Sequence, residues 1–236
     1  SVVLYGDLDV SVIDELPPGR QKISTRSIGY EKRDNCYDFV EKQLADGRQA
    51  YVVTPLIEES DVMDLRSAHK VAEELSKRFK EYNVALIHGA MRQEDKDRIM
   101  EEFYHGLIDV LVPHQGAVLP HLEAGQNVPN STVIVVENAE RFGLAQLHQL
   151  RGRVGRGPHK SYCFLIFEGD SEIARKRGEI MEASSDGFFI AEEDLKLRGP
   201  GEIFGTRQHG LPDLNISDLS RHLKIMEHAK KEAKVI

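Results

Sequence analysis

The sequence predicts an α/β fold, in which a parallel sheet carries helices on both faces and a small helical module follows. Between residues 31 and 168, short apolar runs alternate with longer amphipathic segments, as in strands that are joined by crossover helices. The apolar runs are almost continuously hydrophobic, which is typical of strands buried on both faces. After about residue 169 this alternation stops, and helical patterns surround a glycine-rich segment.

The elements of the α/β part can be assigned in chain order. Residues 1–30 lack helical periodicity, and Pro17-Pro18-Gly19 indicates a stiff turn or linker. Apolar residues at helical spacing predict a first helix over 31–46, which Asp46-Gly47 ends. Buried strands are predicted over 49–55, 84–88, 108–112, 132–137 and 161–167, and the later helices over 67–82, 93–105 and 142–153.

The last part of the chain reads as helical. Helices are predicted over 172–183, 188–197 and 217–234. Before the last of them, residues 197–210 form a basic and polar stretch with four glycines. Because glycine allows close backbone approach, this stretch is expected to pass close to another molecule or segment.

The composition favours a soluble globular protein, since 40% of the 236 residues are hydrophobic and 30% are charged. A formal net charge of -8 argues against binding of nucleic acid over the whole surface. Positive charge is nevertheless concentrated between Arg141 and Lys160, where five basic residues occur without an acidic one. The composition therefore leaves room for one local basic site.

Cellular location is expected to be a reducing cytoplasm without membrane insertion. The apolar runs are too short to span a bilayer, and the opening residues do not have the pattern of a secretion leader. Cys36 and Cys163 lie far apart in sequence, and Cys163 falls in an apolar run. A buried free thiol is the expected state there, which argues against a disulfide framework.

The segment from Gln146 to Arg156 is the most informative part of the chain. It holds three arginines within six residues, separated by glycines: Arg151, Arg153 and Arg156. If the helix continues through them, Arg153 and Arg156 share one face, and two guanidiniums on one face suit a chain of phosphates. A basic, solvated helix is the alternative interpretation.

The sequence contains no Gly-x-x-x-x-Gly-Lys-Ser/Thr loop that could hold phosphates. The arginines therefore form half of a nucleotide site at most, and the other half is expected on a separate domain upstream. Ligands of parallel sheets bind outside the carboxyl ends of the strands. We therefore expect the arginines to gather there with the loops after Thr54, His88 and Val112.

The string Glu137–Arg156, with its Gln-x-x-Gly-Arg-x-Gly-Arg pattern, resembles the last motif of superfamily 2 helicases of the RecG and Mfd type. Arg198-Gly-Pro-Gly-Glu202 and Gly205-Thr-Arg-Gln208 resemble the "translocation in RecG" motif in its RecG form. The resemblance implies a RecA-like second motor domain over 31–168 and a helical hairpin-and-loop translocation module over 169–236. Residues 1–30 then correspond to the end of a first motor domain and a linker.

The resemblance also implies a function. The parent is expected to be an ATP-dependent DNA helicase that remodels branched double-stranded DNA, such as stalled forks and Holliday junctions, in repair and recombination. A monomer in the bacterial cytoplasm, associated with the nucleoid, is expected. The wedge domain and most of the first motor domain are expected upstream, and the first motor domain is expected to hold most of the ATP and Mg²⁺ site. This chain alone is therefore predicted to be inactive.

The family motifs assign roles to individual residues. The resemblance implies that Arg153 and Arg156 act in catalysis, with Arg156 as the arginine finger, and that Gln149 orders water or nucleotide. Residues implied to contact the nucleotide are Glu123, Gly125, Asn127 and Gly152. Residues implied to contact DNA or to drive translocation are Thr54, His88, Gly89, Arg198, Arg207 and Gln208. No metal ligands are predicted.

Residues 113–129 depart from the family pattern. The threonines that normally contact a DNA phosphate are missing, and the segment is about five residues longer. The histidines at 105, 114, 121 and 159 show no metal spacing and are interpreted as surface or hydrogen-bonded residues. Two alternatives stay open: an Mfd-type translocase that pushes RNA polymerase, and a module that docks DNA or protein without catalysis.

Overall fold

The computed structural model describes residues 22–55, 61–114, 128–169 and 171–198, without the side chains of 61–65, 67 and 198. The described residues up to Leu197 belong to one compact unit. The turn predicted at Pro17–Gly19 and the helix predicted over 217–234 lie outside the described residues.

The described strands form one sheet in which all pairs are parallel. Its spatial order is β1-β6-β5-β2-β4-β3. The strands are β1 Ser24–Gly29, β2 Gln49–Val53, β3 Val84–Ile87, β4 Val110–Pro113, β5 Ser131–Val136 and β6 Tyr162–Phe167. The predicted parallel α/β sheet is thus confirmed, with one strand more than the sequence indicated.

The helices alternate with the strands as predicted. They are α1 Arg33–Ala45, α2 Asp61–Arg78, α3 Gln93–Tyr104, α4 Leu144–Arg151, α5 Glu172–Ala183 and α6 Gly187–Arg198. Two short 3-10 helices precede α1 and α4, at Tyr30–Lys32 and Ala139–Arg141. No helix in the described part of the chain is long and apolar enough to cross a membrane.

Strand β1 was missed because it has no apolar run. Its sequence, Ser-Thr-Arg-Ser-Ile-Gly, is largely polar. Among the described strands, β1 lies at the edge of the sheet and pairs with β6 alone. An edge strand does not need to bury both faces. These residues fall within the 1–30 segment that we assigned to a preceding domain and linker, and they are hydrogen-bonded into this sheet.

The helix of the arginine segment is shorter than predicted. We expected it to reach Arg153, whereas α4 ends at Arg151 with Gly152 as its C-cap. Gly155 then adopts φ 77°, a left-handed conformation that ends any continuation of the helix. Arg153 and Arg156 therefore do not share a helical face, and their relative positions are set by a glycine-rich turn.

The two faces of the sheet bury two separate apolar clusters. Because strand side chains alternate, Tyr51 and Val53 of β2 face α3, α4 and α5, whereas Ala50 and Val52 face α1 and α2. Helices therefore cover both faces, as predicted. Both cysteines are free and buried, and burial raises the pKa of each thiol to about 12, which confirms the expected buried thiol at Cys163.

The connection that leads from β5 into α4 is fixed by a buried carboxylate. Glu137 follows β5 directly and accepts hydrogen bonds from Arg33 Nε at 2.7 Å and from the Tyr37 hydroxyl. The Arg33 guanidinium also lies over the Tyr37 ring, 4.9 Å from its centroid. Asn138 then adopts φ 47°, which turns the chain out of the strand. The start of the arginine motif is thus anchored to α1.

Candidate functional site

Helix α4 presents one apolar face to the core and leaves Gln149 on the surface. Leu144, Leu147 and Leu150 are buried at helical spacing in the cluster beneath. At the start of the helix, the Gly143 backbone N–H donates to the Gln146 side-chain oxygen at 3.0 Å. The exposed position of Gln149 is compatible with its predicted contact with water or nucleotide, and this role stays a prediction.

Arg151 is buried and joins two elements. Its Nη1 donates to the backbone carbonyls of Met181 and Ser184, both at 2.8 Å, and its Nη2 lies 3.0 Å from His148 Nδ1. These carbonyls belong to the last turn of α5 and to the connection into α6. One of the three arginines therefore binds protein backbone, which the spacing of the motif did not indicate.

Arg153 and Arg156 follow the helix and are more accessible. Arg153 is partly buried and Arg156 is exposed. Arg156 Nε donates to the Gly152 carbonyl at 3.0 Å, which fixes the guanidinium near the end of α4. Burial raises the pKa of the Tyr51 phenol, and the charges of both arginines oppose that shift. Both guanidiniums therefore lie near the face of the sheet that carries Tyr51.

The arginine segment lies at the amino end of the sheet. A Cβ added to Gly157 would lie 2.3 Å from the Pro129 carbonyl oxygen, and Pro129 lies two residues before the start of β5. The expectation that the arginines gather at the carboxyl ends of the strands was therefore wrong. The reason is topological: α4 runs back from the carboxyl end of β5 to the amino end of β6, so residues that follow α4 arrive at the amino end.

The carboxyl ends of three adjacent strands carry Thr54, His114 and His88. Thr54 bridges His114, and Ile87 pairs with Pro113, so that the three residues lie in one row across β2, β4 and β3. Within the described structure, two buried atoms of this row, Thr54 Oγ1 and His88 Nδ1, have no hydrogen-bond partner. We call Thr54, His114 and His88 the carboxyl-end row.

Basic groups surround His88. Desolvation lowers its pKa, and the nearby His69, His114 and Lys96 lower it further. The rings of His69 and His88 have centroids 5.8 Å apart. Lys96 Nζ donates to the Gly89 carbonyl at 2.8 Å. His114, for which the sequence suggested no site, is buried in this group with 5% exposure. Its position directly after an apolar strand was the feature of the sequence that could have indicated a place at the carboxyl end of the sheet.

The predicted site residues thus form two groups. Gln149, Gly152, Arg153 and Arg156 lie in and after α4, whereas Thr54, His88 and Gly89 lie at the carboxyl ends of β2 and β3. Arg198 ends α6, and its side chain is outside the described part. Five predicted residues lie outside the described residues altogether: Glu123, Gly125, Asn127, Arg207 and Gln208.

Family models match most of the chain. The helicase conserved C-terminal domain matches residues 31–158, and the C-terminal part of domain 3 of ATP-dependent DNA helicase RecG matches residues 184–236. The first match contains both groups of predicted site residues that the structure describes. The second begins at Ser184, one of the two residues whose carbonyls bind Arg151.

Curated relatives agree with these matches. ATP-dependent DNA helicase RecG of Thermotoga maritima is 48% identical over 237 residues, which cover 100% of this chain and 30% of that protein. The Bacillus subtilis protein of the same name is 44% identical over 234 residues, 99% of this chain and 34% of that protein. The chain thus spans about a third of the length of the curated relatives it matches.

Solved structures give the same result. A structure of RecG bound to a three-way DNA junction is 46% identical, has a TM-score of 0.72 and covers 96% of this chain and 28% of that one. Domain 2 of the DEAD-box helicase Mss116p, bound to an RNA duplex, shares only the fold, with 15% identity and a TM-score of 0.51 over 73% of this chain and 68% of that one. The predicted RecA-like helicase fold is thereby confirmed, and the chain belongs to the RecG family of helicases.

Proposed function

We propose that this chain is the second motor half of an ATP-dependent DNA helicase that remodels branched DNA. The observation that carries this proposal is the arginine segment after α4, which holds an exposed Arg156 and a partly buried Arg153 on a turn fixed against Pro129. Relatives named ATP-dependent DNA helicase RecG support the activity, and the RecG structure with a three-way DNA junction supports the branched substrate.

The arginine segment fits a nucleotide held by a separate domain. Guanidiniums bind phosphate oxygens through paired N–H donors. Arg156 is exposed, and its Nε donates to the Gly152 carbonyl. We assign Arg156 as the arginine finger, Arg153 as a second phosphate contact, and Gln149 as a residue that orders water or nucleotide. ATP with Mg²⁺ supplies the phosphoanhydride bond whose hydrolysis drives the motor.

The carboxyl-end row is proposed to contact DNA. Thr54 and His88 carry buried polar atoms without a hydrogen-bond partner in the described structure, and Lys96 binds the Gly89 carbonyl beside them. Donors and positive charge at one edge of the sheet suit the phosphates of a DNA backbone, which dominate protein affinity for DNA.

We further propose that Arg151 couples the motor domain, 31–168, to the translocation module, 169–236. Arg151 lies two residues before Arg153 and binds the carbonyls of Met181 and Ser184. A displacement of the arginine segment is therefore passed to the connection between α5 and α6 through two hydrogen bonds. Arg198 at the end of α6, and Arg207 and Gln208 beyond the described part, are assigned to the DNA-moving end of this module.

The decisive experiment is ATP turnover with Arg156→Ala in the full-length helicase. Hydrolysis is expected to fall about 10³-fold or more, as for other arginine fingers, while nucleotide binding stays within a few-fold. Arg98→Ala on α3 is the matched control and should leave turnover unchanged, because Arg98 is exposed and forms surface ion pairs with Asp95 and Glu102. Weakened binding with intact turnover would contradict the assignment.

This chain alone, with and without forked DNA, is expected to show no ATP turnover. Robust DNA-stimulated turnover by the pure chain would show that a complete nucleotide site lies within it, and the division into two motor halves would be wrong. A docking module without catalysis would instead bind duplex DNA with a steep salt dependence that Arg153 and Arg156 substitutions leave unchanged. The RecG match over 184–236 favours the RecG type over the Mfd type.

A further inference from the structure

Three histidines from three elements meet on one face of the sheet. Side chains alternate between the two faces along a strand. Val112 of β4 and Leu86 of β3 face α2. His114 and His88 each follow two residues later in the chain, so they face α2 as well. His69 of α2 packs against His88, with ring centroids 5.8 Å apart. At the carboxyl ends of the strands, the face of the sheet that α2 covers therefore carries a polar layer, which consists of Thr54, His114, His88 and His69.

This polar layer has hydrogen-bonding capacity that the described residues do not use. Thr54 is only 3% exposed, and its Oγ1 has no hydrogen-bond partner there; the same holds for the buried Nδ1 of His88. Buried polar atoms in native proteins are nearly always hydrogen-bonded, so two such atoms on either side of His114 in the row indicate a ligand or water.

The charge of the layer selects the kind of ligand. Among the described residues, the charged groups that act on His88 are His69 of α2, His114 directly after β4 and Lys96 of α3, and all three are bases. No three His, Cys, Asp or Glu residues in the described ranges are arranged to hold a metal ion. Hydroxyl and imidazole donors beside a lysine suit a tetrahedral oxyanion such as phosphate.

We propose that the cluster of His69, His88 and His114 binds a phosphate oxyanion together with a proton, so that binding strengthens as pH falls. The proposal rests on the proposed function in one respect, which is the DNA contact at the carboxyl-end row. It goes further by coupling that contact to the uptake of a proton by the histidine cluster. In the unbound chain, the neighbouring basic groups disfavour a charged imidazole. A bound anion favours the charged imidazole, so the cluster takes up a proton when the anion binds.

The sign and size of the effect follow from linkage. Desolvation and the bases around it lower the pKa of His88 below 6.5, so the imidazole is mostly neutral at pH 7 in the unbound chain. An anion raises that pKa, and affinity then increases with falling pH until the unbound imidazole is itself protonated. One linked proton gives an increase of up to about tenfold per pH unit.

The first test is an NMR titration of the histidine side chains in the whole chain between pH 5 and 8.5. The chain is titrated without phosphate, with inorganic phosphate, and with a short blunt DNA duplex. The pKa of His88 is expected to rise in phosphate, in duplex or in both, and the exposed His105 and His159 report the non-specific effect. A rise with duplex alone identifies the DNA backbone as the source of the phosphate, and a rise with both identifies an open phosphate site.

A rise with inorganic phosphate alone supports the proton-linked anion site and separates it from DNA binding. If His88 shifts no more than His105 and His159 in either ligand, the proposal is overturned. Duplex binding with an unshifted His88 would overturn the proton linkage and leave the proposed DNA contact standing. Failure to bind duplex at any pH would instead count against that DNA contact.

The second test uses His88→Asn, which keeps an amide near the Nδ1 position and cannot titrate. His88→Asn should weaken duplex binding most at pH 6, so the increase in duplex affinity between pH 8 and pH 6 should be largely lost. His159→Asn is the matched control and should keep the full increase. If His88→Asn does not fold, Thr54→Val removes the hydroxyl and should weaken binding at every pH without changing the slope. An unchanged slope in a folded His88→Asn chain overturns the proposal.

Discussion

Replacing Arg151 by methionine tests how strongly the end of α4 is joined to the α5–α6 connection. Methionine keeps most of the buried aliphatic volume but removes both hydrogen bonds to the carbonyls of Met181 and Ser184. A hydrogen bond to a charged group contributes roughly 1.5–3 kcal/mol. Arg151 is only 4% exposed, so solvent screening reduces these contributions little.

Two such bonds at the lower end of that range give an expected loss of about 3 kcal/mol in the free energy of unfolding, and the bond to the Met181 carbonyl, which is the more buried of the two, contributes the larger share. That loss changes the ratio of folded to unfolded chain by about 150-fold. Because the chain has no tryptophan, urea unfolding is best followed by far-ultraviolet circular dichroism. The change should appear as a lower midpoint at constant slope.

Two further variants decide whether the reasoning holds. Both carbonyls accept from Nη1. The shorter side chain of Arg151→Lys keeps the charge but cannot place its nitrogen at that position, so about half of the loss should be recovered. Lys176→Met on α5, an exposed lysine in a surface ion pair with Glu172, should change stability by less than about 0.5 kcal/mol. A loss below about 1 kcal/mol for Arg151→Met, or a lysine variant as unstable as the methionine one, would refute the proposed link.

The remaining predictions concern three other positions. Gly157→Ala places a Cβ 2.3 Å from the Pro129 carbonyl oxygen, and thermal unfolding should show a loss of at least about 1–3 kcal/mol; an unchanged melting temperature would show that the segment moves freely. Since the pKa of the Cys36 and Cys163 thiols is about 12, both stay protonated at pH 8. A disulfide reagent should therefore label them only in denaturant, and rapid labelling of the native chain would contradict their burial. Arg207→Ala in the full-length helicase should spare ATP hydrolysis and abolish DNA movement; equal loss of both would count against a separate translocation role.

The sequence predicted those parts of the fold in which local pattern and burial coincide. The strands β2, β4, β5 and β6 are runs of apolar residues that are buried on both faces, so composition alone identifies them. Strand β1 could not be predicted in this way, because its polar residues form a strand only through pairing with β6. Its identity depends on a contact with residues more than 100 positions away.

The candidate site was predicted as a set of residues but not as an arrangement. Local spacing identified Arg153 and Arg156, but their location at the amino end of the sheet depends on the direction in which α4 crosses it. Similarly, the backbone contacts of Arg151 lie some thirty residues away, and the place of His114 in the carboxyl-end row depends on strand register. Long-range contacts of this kind leave no mark on local sequence spacing.

The location of the two groups at opposite ends of the sheet has an electrostatic consequence. The six residues of β5, Ser131–Val136, correspond to roughly 20 Å of strand at about 3.3 Å per residue. The Debye length at physiological ionic strength is about 8 Å, so charge bound at one end is largely screened from the exposed groups at the other. Anions bound at the two ends therefore neither compete for the same cations nor repel one another appreciably. Communication through the solvent is therefore weak, and displacement of the sheet and its helices as a body is one route that salt does not screen.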